Sequence, residues 1–275
     1  MARNWAIVVG INQYSTFLNP LKYAKQDAEL MRDFFNEVGF DEVCLFTEDS
    51  APQRVGNKML QTYPTYGHLS GFLWEAFKDP FLSAGDNLWF FFAGHGMQYA
   101  NRDYLMLIDT HPSNITATGI PVSYVRERLI RSGADNVILL LDACRNQGYR
   151  GIGHIGREAQ RGVITISSCS PAEVSWEIEE LRHGVFTYCL VEALSPGMGY
   201  LKKLKSTVTV EGLDTYLRYR VPFLCELYKK FPVQTPRTNV EPLEKSHLIL
   251  LPKYARSEDI SKQGYFILDR GGRFP

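Results

Sequence analysis

Three apolar runs without polar alternation limit what this chain can fold into. Asn87–Ala93 (NLWFFFA) and Asn136–Leu141 (NVILLL) carry apolar side chains at every position after the first, and Val163–Ser167 (VITIS) has no charged residue. Successive residues of a strand point to opposite faces, so such runs suit strands covered by helices on both sides. Trp5–Ile11 and Glu42–Phe46 are also read as strands. Between them the pattern changes to the helical period. In Leu21–Val38, residues Ala24, Ala28, Met31, Phe35 and Val38 step by four and three, and Gly39 ends the pattern. Further helices are expected at Gly67–Lys78, Val122–Ile130, Val185–Leu194 and Gly212–Lys229, the last interrupted at Pro222. Tyr104–Ile108 (YLMLI) reads as an extended piece of a surface hairpin, and His247–Leu251 (HLILL) as the final strand. This alternation argues an α/β fold built on a mostly parallel six-stranded sheet with helices on both faces. No linker-like break divides the chain, so one domain is expected.

Composition removes several function classes. Thirty Lys and Arg balance thirty Asp and Glu among 275 residues, which leaves no basic field for a nucleic-acid backbone. The apolar runs are far too short to span a bilayer, and Asn12 and Gln13 interrupt the first one, so neither a membrane segment nor a signal peptide is read here. Five cysteines, Cys44, Cys144, Cys169, Cys189 and Cys225, show no C-x-x-C spacing. They read as reduced thiols of a cytoplasmic protein, four of them small core residues. No phosphate-binding glycine loop follows a strand.

Chemistry concentrates where two of the runs end. In an α/β sheet the ligand site lies beyond the carboxyl ends of the strands. One run leads into Ala93-Gly94-His95-Gly96 and another into Asp142-Ala143-Cys144-Arg145, so His95 and Cys144 are expected at the same sheet edge. An imidazole that takes a thiol proton makes a nucleophile and can then protonate the leaving amine. Glycines beside His95 allow close backbone approach, and their N–H groups could bind an oxyanion. The segment Arg145–Gly162, with five glycines and four arginines, reads as a long mobile loop.

These residues resemble the caspase-like cysteine peptidases. That family's signature is Q-A-C-[RQG]-G with a His about 50 residues upstream. Here the run is Asp142-Ala143-Cys144-Arg145-Asn146, and His95 lies 49 residues before Cys144. Asp142 in place of Gln is similar to the metacaspase and bacterial orthocaspase branch. The resemblance extends from about Trp5 to Leu251, through VVGINQY, LKYAKQDAELM, FFFAGHG, LLLDACRN and HGVFTYCLVEAL.

The resemblance implies a caspase-like sandwich over residues 1–251. A large-subunit-like part would run to about residue 144 and a small-subunit-like part over about 163–251, with 252–275 a tail of unassigned role. His95 and Cys144 would be the catalytic dyad, and the backbone N–H groups of Gly96 and Cys144 the oxyanion hole. Asp142 and Asp27 would line the specificity pocket, which implies cleavage after Arg over Lys. Arg145, Arg150, Arg157 and Arg161 would then be candidate autocleavage sites. Carboxylates beside the nucleophile also suit a guanidinium on charge alone. Spacing places Asp27 on the flank of its helix's apolar stripe.

No Asp-rich cluster of the kind a calcium cage needs is found, and Glu177, Glu179 and Glu180 read as a solvated loop, so neither calcium nor another cofactor is expected. The expected partners are peptide or protein substrates with Arg or Lys at the cleavage site. The alternative functions are a non-catalytic caspase-like peptide-binding or signalling module, and a flavodoxin-like binding domain on the same sheet.

Overall fold

The computed structural model describes residues 2–15, 18–55, 57–145, 162–170, 173–195 and 208–251, and for Cys144 and Arg145 it describes the backbone. The candidate cleavage positions Arg150, Arg157 and Arg161 and the tail 252–275 lie outside the described residues.

The chain opens with β1 (Asn4–Gly10), α1 (Ala24–Glu37) and β2 (Glu42–Phe46). A small hairpin, β3 (Gln53–Val55) and β4 (Lys58–Leu60), precedes α2 (Tyr66–Ala76) and β5 (Asn87–Tyr99). Then come β6 (Arg102–Leu105), α3 (Ile115–Thr118), β7 (Ile120–Pro121), α4 (Val122–Ile130) and β8 (Asn136–Arg145). The second part holds β9 (Val163–Ser167), β10 (Glu177–Ile178), β11 (His183–Gly184), α5 (Val185–Leu194), α6 (Val210–Leu227) and β12 (Arg237–Val240).

The main sheet has the order β12-β9-β8-β5-β1-β2, parallel except for β12, with β6 and β7 attached to the extension of β5. Its apolar runs divide by parity between two layers. Ala6, Val8, Trp89, Phe91, Ile138 and Leu140 pack with α1, α5 and α6 on one side. Ile7, Val9, Phe90, Phe92, Leu139 and Leu141 pack with α2 and α4 on the other. Unbroken apolar runs are thus the consequence of a sheet with no solvent face. Cys44, Cys169, Cys189 and Cys225 are buried and free, and burial pushes the Cys44 thiol up to about 12. No helix among the described residues is long and apolar enough to cross a membrane.

Four expectations are corrected. β12, not His247–Leu251, supplies the last strand, antiparallel to β9. Its sequence RTNV lacks an apolar signature because it is a half-buried edge strand, whereas Leu250 and Leu251 are drawn into the α5–α6 core. Helix α6 runs through Pro222 without interruption, since Leu213, Leu217, Val221 and Leu224 bury a continuous stripe. That packing outweighs the loss of one backbone hydrogen bond. Tyr104 and Leu105 do belong to a hairpin, β6 pairing antiparallel with the end of β5, but not to a surface one, because Tyr104, Leu105, Met106 and Leu107 are buried. Strands β5 and β8 continue past Ala93 and Leu141, so the residues expected at their ends lie within the ladder.

Gly10 sits where β1 meets α1. A Cβ there would stand 2.4 Å from both the Ala24 carbonyl oxygen and the Ala28 methyl. A backbone oxygen has little room to retreat, so Gly10→Ala should destabilise the protein by about 1–3 kcal/mol in chemical denaturation.

Candidate active site

The chain proceeds from β1 to β2 in one direction and from β1 through β5, β8 and β9 in the other, so the order reverses at β1. The crevice at such a reversal is where α/β sheets place ligands. Into it come the loop after β1, the far part of β5 and the far part of β8.

β5 and β8 pair in parallel with Gly94 opposite Ala143, His95 opposite Cys144 and Gly96 opposite Arg145. The backbone therefore brings His95 and Cys144 side by side. His95 is buried, and its Nε2–H donates to the Asn19 carbonyl at 2.7 Å. That bond fixes the tautomer and leaves Nδ1 as the acceptor. Nδ1 is buried with no hydrogen-bond partner among the described residues. Burial holds the imidazole below its ordinary value of 6.5, while the Asn19 carbonyl acts in the opposite sense. The backbone N–H of His95 donates to the Tyr14 hydroxyl at 2.8 Å, and the two rings lie 4.6 Å apart. Gly94 admits this contact, because a Cβ there would come within 2.6 Å of the Tyr14 oxygen.

Tyr14 and Asn19 come from the loop after β1. Ile11 N–H donates to the Ala93 carbonyl, and the Glu48 carboxylate accepts from the N–H groups of Asn12 and Gln13 at 2.6 and 2.7 Å. The Asn12 side chain in turn accepts from Lys25 N–H at 2.9 Å. The loop is thus pinned at its start before it reaches the imidazole.

Beside the His95–Cys144 pairing lies a narrow cavity of about 10 Å³, room for about one water, lined by Asp27, Asp142, Ser175, Trp176, Glu177 and Gly184 among others. Asp142 accepts from the Ser175 hydroxyl at 2.6 Å and from the Thr187 hydroxyl at 2.7 Å. Asp27 accepts from Gly184 N–H at 2.9 Å and pairs with His183 Nδ1 at 2.8 Å. A Cβ on Gly184 would stand 2.8 Å from an oxygen of each carboxylate, so those oxygens are no farther apart than twice that distance. Gln234, fully buried, donates to Ser175 Oγ and to the Ser168 carbonyl and accepts from Trp176 N–H, which holds this wall in place.

Burial is the main influence on both carboxyls. It raises Asp142 against the opposing pull of the Ser175 and Thr187 hydroxyls. It raises Asp27 from its ordinary 3.8 to about 7, with the His183 bond pulling down and the Asp142 charge pushing up. Among the described residues no group of three or more His, Cys, Asp or Glu side chains is placed to hold a metal ion.

Two site expectations change. Asp27 does not flank the apolar stripe but lies within the buried face, with Ala24, Ala28 and Met31. The sequence held that signal, since Asp27 is three residues after Ala24 and four before Met31. Glu177 is not a solvated loop residue: it lines the cavity and accepts from the N–H groups of Lys22 and Tyr23 at the start of α1. Asn19, Tyr14, Ser175, Thr187, His183 and Gln234 went unread, because hydrogen bonds across 33 or more residues leave no local pattern.

An α/β sandwich that pairs a histidine strand with a cysteine strand beside its topological switch point is a cysteine-peptidase-like fold. The caspase domain family matches residues 3–234, and the chain belongs to that family. A crystal structure of a protein from Geobacter sulfurreducens is similar in fold, with TM-score 0.59 at 16% identity over 87% of this chain and 93% of that one. Among curated proteins none matches the sequence.

The raised Asp27 sets the sign of one pH effect. A carboxyl that holds its proton more tightly when folded contributes stability below its unfolded value and loses that contribution as pH rises through its folded one. Between pH 3.8 and about 7 the protein should therefore lose stability relative to Asp27→Asn, measured as Tm against pH. A constant difference would contradict the assignment.

Proposed function

We propose that this chain is a cysteine endopeptidase that cleaves after basic residues, Arg over Lys, with Cys144 as nucleophile and His95 as general base and acid. The observation that carries the reading is the register of β5 on β8, with a His95 Nδ1 that has no partner among the described residues beside a pocket holding two buried carboxylates.

In this mechanism His95 takes the thiol proton at Nδ1, and the sulfur attacks the scissile carbonyl carbon. The N–H groups of Gly96 and Cys144 stabilise the oxyanion. The imidazolium returns its proton to the departing amine, a thioester forms, and water activated by the same imidazole releases the acid. Burial favours the neutral imidazole this cycle starts from. Asp27 and Asp142 take the guanidinium of the residue before the scissile bond, and Glu177 adds a third carboxylate to the wall. A cavity of about 10 Å³ has no room for that side chain as it stands, so binding it requires the Ser175–Gly184 wall to move outward.

The same preference proposes autocleavage within residues 145–162, at Arg145, Arg150, Arg157 or Arg161. Strands β8 and β9, on either side, are paired from Val137↔Val163 to Leu141↔Ser167 and buried, so the two pieces would stay associated. The metacaspase or orthocaspase branch and a cytoplasmic setting belong to this same reading.

Cys144→Ala should abolish turnover without unfolding, and kcat/KM of the wild type should decline on the acid side only below pH 6.5, because the neutral imidazole persists there. Matched peptides ending in Arg should be preferred over those ending in Gln by roughly 10⁴-fold. A preference for Asp, or full Arg cleavage by both Asp27→Ala and Asp142→Ala, would show the pocket to be wrongly assigned. Mass spectrometry should find the active protein cut between residues 145 and 162 and the Cys144→Ala protein whole. Equal intact masses would remove the autocleavage.

A further inference from the structure

The two pocket carboxylates are supported in different ways. Asp142 is held by two neutral hydroxyls, Ser175 and Thr187. Asp27 is held by one backbone N–H and by the Nδ1 of His183 at 2.8 Å. Among the described residues His183 is the basic group paired with either acid. Its side chain is 22% exposed, whereas the Asp27 side chain is 3% exposed.

Two carboxylates this close and this buried oppose each other's ionisation. The charges around His183 otherwise come from Asp27 and Lys22 at the start of α1, Asp142 of β8 and Glu177 of β10, which is in register with Gly184. Glu179, Glu180 and Arg182 lie in the turn from β10 to β11, and α5 contributes the neutral Thr187.

We propose that His183 is a specificity-determining positioning residue: its Nδ1–H keeps the Asp27 carboxylate anionic and so makes the pocket selective for a cationic side chain. The role rests on the peptidase reading above and deepens its specificity pocket. Burial and the Asp142 charge drive Asp27 toward its neutral form, and the His183 bond opposes them. Without that bond Asp27 holds its proton to higher pH, and a neutral carboxyl no longer distinguishes a guanidinium from an uncharged group of the same shape.

The test is the ratio of kcat/KM for peptides ending in Arg and in its neutral isostere citrulline, followed from about pH 6 to about pH 9. Both peptides use the same dyad, so ionisation of Cys144 and His95 cancels in the ratio. In the wild type the ratio should rise with pH, half complete at about 7. In His183→Ala it should be about tenfold lower near neutral pH and recover in alkali. His183→Gln, which keeps an N–H donor of different reach, should fall between the two. A ratio untouched by His183→Ala, or lowered equally at every pH, would overturn the inference. If the wild type cleaves neither peptide, the peptidase reading fails, and carboxyl-carbon NMR of Asp27 in the Cys144→Ala protein still decides the matter. A higher titration midpoint on adding His183→Gln or His183→Ala supports the role, and an unchanged midpoint removes it.

Discussion

The parallel pairing of β5 with β8 is the constraint on which the rest of this molecule depends. It runs from Asn87↔Asn136 to Gly96↔Arg145 and lies between two apolar layers. A one-residue slip would exchange the side chains of the two layers, sending Phe90 and Leu139 where Phe91 and Leu140 now pack. The register is therefore fixed by the whole core. Its last three pairs carry His95 and Cys144 and inherit that precision. These two residues need no local device to align them, because they extend a ladder already aligned by burial.

The pocket is assembled differently. Its polar groups come from α1, β8, the segment before β10, β11, α5 and Gln234, elements far apart in the chain. Buried carboxylates are costly unless hydrogen-bonded, and each one here has donors. Ser175 links Asp142 to Gln234, and Gly184 links Asp27 to the pocket floor. Because β8 ends just before residues 146–162, β5, β8 and both pocket acids precede the candidate cleavage segment, while the Ser175, Trp176, Glu177 and Gly184 side of the pocket follows it. The two sides remain joined through the β8–β9 pairing and the shared core.

The loop after β1 connects these two parts. Glu48 holds its start, and Tyr14 and Asn19 reach the His95 backbone and ring. Glu177 caps the start of α1, the helix that carries Asp27. One short segment of the second part thus steadies the helix that supplies a pocket acid from the first.

What the sequence by itself determined was whatever burial writes into local pattern. Fully covered strands demand unbroken apolar runs, and β1, β2, β5, β8 and β9 were legible for that reason. The stripe of α1 and the residue pairs around His95 and Cys144 were legible too, being contiguous. Tertiary structure decided the rest. β12 is a polar edge strand whose conformation follows from its pairing with β9 and not from any local pattern. Pro222 stays within α6 because packing there is worth more than one hydrogen bond. Asp27, His183, Asp142, Ser175 and Thr187 become one site only when α1, β8, β11 and α5 meet, since a hydrogen bond between distant residues imposes no periodicity on either of them.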